Sequence, residues 1–190
     1  ISAASDLIGE LLWDFPFYDR SDRANAVAAL LTPILRPLLP TVSATVVNGL
    51  APGSGKGLIA DTTSHVVFGQ AASLAHLPES EEEIRKHFTA SFAAGQTVKF
   101  LDETTELNSK NLNRVITGIN IEDRILGSST MVSVPNRMTI YALGNNVGIS
   151  ADTARRVVQV RLIPRDPNPE TRSNFRHVLP DWAVENRQEL

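Results

Sequence analysis

Between Thr45 and Ala60 the chain reads Thr-Val-Val-Asn-Gly-Leu-Ala-Pro-Gly-Ser-Gly-Lys-Gly-Leu-Ile-Ala. An apolar run enters a glycine-rich turn, and the turn enters a stretch of helical spacing. This arrangement cradles phosphate. Gly53 and Gly55 let backbone N–H groups converge on an anion, the following helix adds the positive end of its dipole, and Lys56 adds a mobile full charge. The residues expected around a nucleoside triphosphate are Pro52, Gly53, Ser54, Gly55, Lys56, Gly57 and Leu58. Two departures from the spacing G-x-x-x-x-G-K-[ST] matter: Gly49 stands one place early, and Gly57 replaces the hydroxyl residue after the lysine. That hydroxyl would ligate Mg²⁺ directly, but the ion retains waters readily and one can take its place. ATP binding is thus better supported than tight magnesium binding. Ser54 is no nucleophile elbow, because Pro52 and Lys56 hold the positions where that turn needs glycines.

A second group lies downstream. Thr97 to Glu103 is a mostly apolar run ending in Asp102 and Glu103, and Met138 to Gly144 is another, ending in Asn145 and Asn146. In a parallel sheet the C-terminal strand ends gather beside the crevice that holds the phosphates. There Asp102 is expected to hold the Mg²⁺ shell and Glu103 to polarise the attacking water, with an amide at the strand end in reach of γ-phosphate and water.

The elements that must position these groups alternate. Leu7–Phe15 has helical spacing, and Ser21-Asp22 is expected to cap a second helix running to Leu35, disturbed by Pro33 and Pro37. A helix from Gly55 to Phe68 ends at Gly69, and Ala71–Leu74 suits a short strand. Ser80 opens a helix to Gly95 in capping-box fashion, and another runs from Ser109 to Thr117 and stops at Gly118. Arg124–Gly127 and Met131–Val134 can pair as a hairpin; Asp152–Arg156 suits a helical turn before the strand Val157–Arg161. The alternation predicts an α/β, three-layer α-β-α fold with a mainly parallel sheet. The expected organisation is an N-terminal helical segment over 1–40, a core over 41–165 and a C-terminal loop and helix over 166–190.

Composition removes several classes. With 42% hydrophobic residues and a formal net charge of −3, the 190 residues suit one globular domain. There is no cysteine, hence no disulfide framework or thiolate metal site. His65, His76, His87 and His177 lack ligand spacing. Neither a membrane span nor a signal-peptide layout is present, so a cytoplasmic setting is the expectation. The chain begins at Ile1 rather than Met, as expected of a piece of a longer protein.

These residues carry a resemblance. Asp14-Phe15-Pro16-Phe17, Asp22-Arg23-Ala24, Leu31-Thr32-Pro33 and Pro52-Gly53-Ser54-Gly55-Lys56-Gly57 are followed by Glu122-Asp123-Arg124-Ile125-Leu126-Gly127, Gly144-Asn145-Asn146, Ala154-Arg155-Arg156, Phe175-Arg176-His177 and Trp182. In this order the chain resembles the ATPase domain of phage- and plasmid-type replication proteins, the primase–helicase group related to superfamily 3 and AAA+ ring motors. The resemblance implies an ATP-driven homo-oligomer, a hexameric ring, acting on single- or double-stranded DNA. It makes Asn145 the sensor at the γ-phosphate. It makes Arg156, with Arg155 as the competing choice, an arginine finger reaching a neighbouring subunit; Arg124 is a third candidate for a trans role, or pairs within its own chain with Asp123 or Glu122. It also implies a DNA-gripping hairpin, here Leu126–Val134 with Ser128-Ser129-Thr130 at the tip. That tip has no lysine or arginine, while phosphate recognition leans on positive charge; Lys110, Arg114 or Arg137 would have to face the channel. Two other functions fit the same residues: a protein-remodelling AAA+-type ATPase, and a nucleotide-binding assembly switch with little turnover. Gly57 favours the switch and Glu103 argues against it.

Overall fold

Hydrogen-bonding side chains set the starts of four of the helices. The structure, a computed structural model, describes residues 2–124, 131–166 and 168–190. Helix α1 spans Ser2–Leu11. In α2 (Arg20–Leu35) the cap is Asp19, whose carboxylate accepts from the N–H groups of Ser21 and Asp22. Hydrogen bonds, foremost that of the Ser21 side chain, pull the Asp19 carboxyl down to about 2. The expected cap at Ser21-Asp22 is therefore displaced. Asp22 is buried and accepts instead from the guanidinium of Arg161, at 2.9 and 3.0 Å. Pro33 lies inside α2, which passes into a 3₁₀ turn at Arg36–Leu38. The buried Arg36 guanidinium donates to the carbonyls of Met138, Leu39 and Asn136, tying this turn to the sheet.

The remaining elements follow in order: β1 (Ala44–Gly49), α3 (Lys56–Phe68), β2 (Leu74–His76), α4 (Glu81–Ala93), β3 (Val98–Asp102), β4 (Glu106–Leu107), α5 (Lys110–Thr117), β5 (Asn120–Arg124), β6 (Met131–Pro135), β7 (Thr139–Asn145), β8 (Gly148–Ile149), α6 (Ala151–Ala154), β9 (Val157–Leu162) and α7 (Asp181–Glu185). Ser80 and Ser109 cap α4 and α5 through their hydroxyls, and a left-handed Gly69 ends α3. The short strand expected at Ala71–Leu74 falls at Leu74–His76, where Leu74 finds Phe100 in register.

Five strands form one sheet in the order β2-β3-β7-β1-β9, every neighbouring pair parallel. β1 lies inside the sheet between β7 and β9, and its residues Ala44–Val47 are all buried, so both of its faces pack against helices. Its alternation separates two cores. Val47, with Phe100, Tyr141, Leu143 and Val160, packs under Leu12, Ala26, Ala29, Ile59 and Ala60 from the turn after α1, from α2 and from α3. Val46, with Leu101, Ile140 and Ala142, packs under Ile84, Phe88, Phe92, Leu112 and Val115 from α4 and α5. The result is a three-layer α-β-α domain. β5 and β6 stand apart as an antiparallel hairpin, in which Ile121 faces Val134 and Asp123 faces Val132. Its tip, with Ser128-Ser129-Thr130, lies outside the described residues. No helix among the described residues is long and apolar enough to cross a membrane.

Candidate functional site

Because the strands are parallel, Gly49, Asn145 and Leu162 end at one edge of the sheet, with Asp102 and His76 ending beside them on β3 and β2. From Gly49 the chain turns through 50–55 into α3. Gly53 (φ 72°) and Gly55 (φ 94°) take left-handed conformations that suit glycine, and Gly55 caps α3 without any side-chain acceptor. The first amides of α3 are thus presented at the mouth of the loop, as an anion site requires.

Lys56 opens α3, and its Nζ lies 2.6 Å from Oδ1 of Asn145 and 3.3 Å from Oγ of the buried Ser54. Burial pushes the ammonium below the ordinary lysine range, and Asp102 nearby pulls it partly back. A half-buried cation with only part of its charge compensated suits an anionic ligand. Gly49 belongs to the same cluster. A Cβ there would sit 3.0 Å from Lys56 Nζ, 3.1 Å from Asn145 Oδ1, and against Ser54 Oγ. At Gly57, the second residue of α3, a Cβ would meet nothing within 4 Å, so no neighbour excludes a hydroxyl residue.

Asp102 ends β3 and accepts the Glu103 N–H at 2.8 Å. Glu103 follows in a left-handed conformation (φ 52°), a strained choice for a non-glycine residue. Its carboxylate reaches His76 Nδ1 at 3.7 Å, both side chains being largely exposed. His76, unremarkable in sequence, comes here because it faces Asp102 in the β2–β3 register. A cleft of about 500 Å³ opens beside this pair, lined by Glu79, Thr104, Glu106 and Ser109 among others. Among the described residues no group of three or more His, Asp or Glu side chains could hold a metal alone. One carboxylate plus solvent suits a cation that arrives on a polyphosphate.

Arg155 and Arg156 do not join this site. They precede β9, whose Val157 faces Ala44 at the opposite edge of the sheet. The length of β1 puts about 17 Å between the two edges. Both arginines pair with Asp152, at 2.5 and 2.7 Å, and Arg156 also donates to the Asp152 carbonyl. The Asp152 carboxyl is held below the usual carboxylate range, chiefly by the Arg156 hydrogen bond. Arg156 Nε is buried without a partner among the described residues. A small cleft of about 240 Å³ adjoins both arginines, with Thr41, Ser43 and Thr117.

Two segments that sequence reasoning left outside the site flank the loop. The Phe15 ring approaches Gly55, where a Cβ would lie 3.4 Å from it, and the Glu170 backbone approaches Gly53, where a Cβ would lie 3.0 Å from its nitrogen. Asp14 joins the segments, accepting from Arg172 at 2.8 Å and from the Arg176 N–H at 2.6 Å.

No family model matches this chain, and no curated protein matches it. Solved structures do. The apo C-terminal region of NrS-1 aligns with 98% of this chain and 42% of its own, at 13% identity and a TM-score of 0.61. The JCV helicase, solved with a bound small molecule, aligns with 87% of this chain and 46% of its own, at 12% identity and a TM-score of 0.57. The chain therefore spans less than half the length of the solved proteins it matches. At such identity the likeness shows the fold alone, a three-layer α/β domain with a mainly parallel sheet.

Proposed function

We propose that this chain is the ATP-hydrolysing motor domain of a ring-forming DNA helicase or replication protein of phage or plasmid type. The observation that carries this reading is the contact between Lys56 Nζ and Asn145 Oδ1, at the edge where the strand bearing Asp102 also ends. A phosphate loop alone binds; a loop joined to a strand-end amide and a carboxylate pair has the parts for turnover.

In this mechanism residues 52–58 hold the phosphates through backbone N–H groups, with Lys56 on the outer ones. Asp102 would hold the Mg²⁺ that accompanies ATP, water being able to serve where Gly57 offers no hydroxyl. The cation's contribution is to neutralise charge on the phosphate oxygens. Glu103 accepts the proton of the attacking water, and Asn145 orients that water and the γ-phosphate. For this the Glu103 carboxylate leaves His76 and turns toward the loop. Arg156, with Arg155 as the competing choice, meets the charge developing on the phosphoryl group of a neighbouring subunit. Their distance from the loop of their own chain supports a contact made between copies. Fingers of this kind contribute about 10³–10⁵ in rate, so hydrolysis depends on assembly into a homo-oligomer.

The test is steady-state ATP hydrolysis over a range of protein concentrations, with and without single-stranded DNA. Turnover per chain should rise with both. Hydrolysis indifferent to DNA would replace this reading with a protein-remodelling ATPase. ATP binding with no turnover would leave a nucleotide-operated assembly switch, as the missing hydroxyl at Gly57 favours.

A further inference from the structure

The two arginines that precede β9 are held by an acid that is itself held. Asp152 lies three and four residues before Arg155 and Arg156, the spacing that brings side chains together on a helical turn. Its two carboxylate oxygens have separate partners. Oδ1 accepts from Arg155 Nη2 at 2.5 Å and from Arg156 Nη1 at 2.7 Å. Oδ2 accepts from the side-chain amide of Asn113 on α5, at 3.0 Å. Asn113 is 8% exposed, and its own Oδ1 accepts from Oγ1 of the fully buried Thr153 at 3.0 Å. Thr153 Oγ1 in turn accepts from Ser150, the cap of α6. With one end of its amide given to a hydroxyl and the other to a carboxylate, Asn113 has a single orientation. Its neighbours Leu112 and Val115 lie in the core, so a continuous set of contacts runs from the core to Asp152.

We infer that Asp152, braced by Asn113, is the positioning residue for the arginine that acts on a neighbouring copy's nucleotide. The inference rests on the intersubunit role proposed above for Arg156 or Arg155. Stability does not account for the arrangement. The Asp152 and Arg155 side chains are 56% and 69% exposed, and an ion pair in water contributes little. What the arrangement secures is direction. A free arginine samples many rotamers, and ordering it on a ligand costs side-chain entropy. A guanidinium already fixed by Asp152 meets that cost before the copies come together. Each guanidinium gives one nitrogen to Asp152 and retains further donors of its planar fork for a phosphoryl group. Asn113 supplies what a lone carboxylate on a four-residue helix lacks, a tie to the packed layer of α5.

The test is steady-state ATP hydrolysis by the whole chain, alone and in mixtures of variants. Asp152→Ala should keep native ATP affinity and lose about 10²-fold in turnover, the loss that a displacement of about 1 Å can bring. Mixed with Glu103→Gln, whose arginines are intact, it should recover part of that activity. Mixed with whichever of Arg156→Ala and Arg155→Ala is itself inactive, it should recover none, because neither copy then offers a placed guanidinium. A merely structural defect would not sort its partners in this way. If thermal unfolding shows Asp152→Ala unfolded, Asp152→Asn serves in its place. Its amide sets an N–H against a donor, either Asn113 or the arginines, and it must give the same pattern. Native turnover in the Asp152 variant overturns the inference. So does turnover above native, which would make Asp152 a restraint. Recovery with the inactive arginine variant also overturns it, by placing the defect in the chain's own site. If neither arginine variant loses activity, or neither recovers with Glu103→Gln, the intersubunit reading falls and the role of Asp152 with it.

Discussion

Two glycines of the phosphate loop should respond in opposite ways to the same added methyl group. At Gly49 the methyl would enter the gap between Ser54 Oγ, Lys56 Nζ and Asn145 Oδ1, with the last two at 3.0 and 3.1 Å. Contacts that short force the neighbours apart, and Ser54, buried in the loop, has little room to retreat. Overpacking of this kind costs about 1–3 kcal/mol, and in a domain of this size it lowers Tm by roughly 2–12 °C. The displacement also opens the Lys56–Asn145 contact. The same shift moves the Lys56 ammonium from where it meets phosphate, and losing that charged hydrogen bond, about 1.5–3 kcal/mol, should weaken ATP binding by roughly 10- to 150-fold in Gly49→Ala. At Gly57 the methyl meets nothing within 4 Å and replaces a flexible residue inside a helix. Gly57→Ala should therefore stabilise by about 0.5–1 kcal/mol and leave ATP affinity at its native value. Thermal unfolding and calorimetric ATP titration of the two variants are sufficient. A Gly49→Ala protein of native stability and native ATP affinity would refute the close-approach argument; a destabilised Gly57→Ala protein would refute the open helical position.

Three further outcomes are expected. Glu103→Gln should preserve ATP binding and lower turnover by at least about 10², the low end for removal of a general base. Arg156→Ala should do the same, and mixing the two inactive variants should restore part of the activity; a mixture no better than its components would place the arginine's role within one chain, and repeating it with Arg155→Ala decides between the neighbours. The third outcome concerns pH. Lys56 is held below the ordinary lysine range chiefly by burial, and bound phosphate favours its charged form. ATP affinity should therefore be full while Lys56 is protonated in the free chain and fall as pH rises through its depressed pKa. In that window binding should take up protons, detectable as a buffer-dependent binding enthalpy, and Lys56→Ala should remove the effect.

Much of the site was legible because its signals are local. The phosphate loop is contiguous, the acid pair and the amide each close an apolar run, and Ser80, Ser109 and Gly69 announce helix ends through chemistry that acts within four residues. What was not legible depends on pairing. Nothing in the sequence says that β7 inserts between β3 and β1, yet this order brings Asn145 to Lys56 across 89 residues. His76 meets Glu103 only through the β2–β3 register, and β2, three residues long at the sheet edge, has too little pattern to fix its own position. Asp19, Ser21 and Asp22 are all capping types. The choice among them fell to Arg161, far along the chain, which claims Asp22. Nor does spacing in sequence reveal that the arginines at 155 and 156 stand at the far edge of the sheet from the loop that follows β1.

The flanking of the phosphate loop by both ends of the chain has a consequence for biosynthesis. The contacts that join them, Arg172 to Asp14 and His177 to Glu10, link residues 158 and 167 positions apart, and Arg187 reaches back from the C-terminal helical turn to the carbonyls of Val66 and Val67 on α3. A ribosome extends a chain by about 5–20 residues per second. The loop, its helix and four of the five sheet strands therefore emerge seconds before the segment that closes over Gly53. During that interval the loop lacks its outer wall, and the faces of Phe15 and Val66 that the late segment will cover remain in water. Assembly of the candidate site is thus a late event on the ribosome, although the motif that defines it belongs to the first third of this sequence.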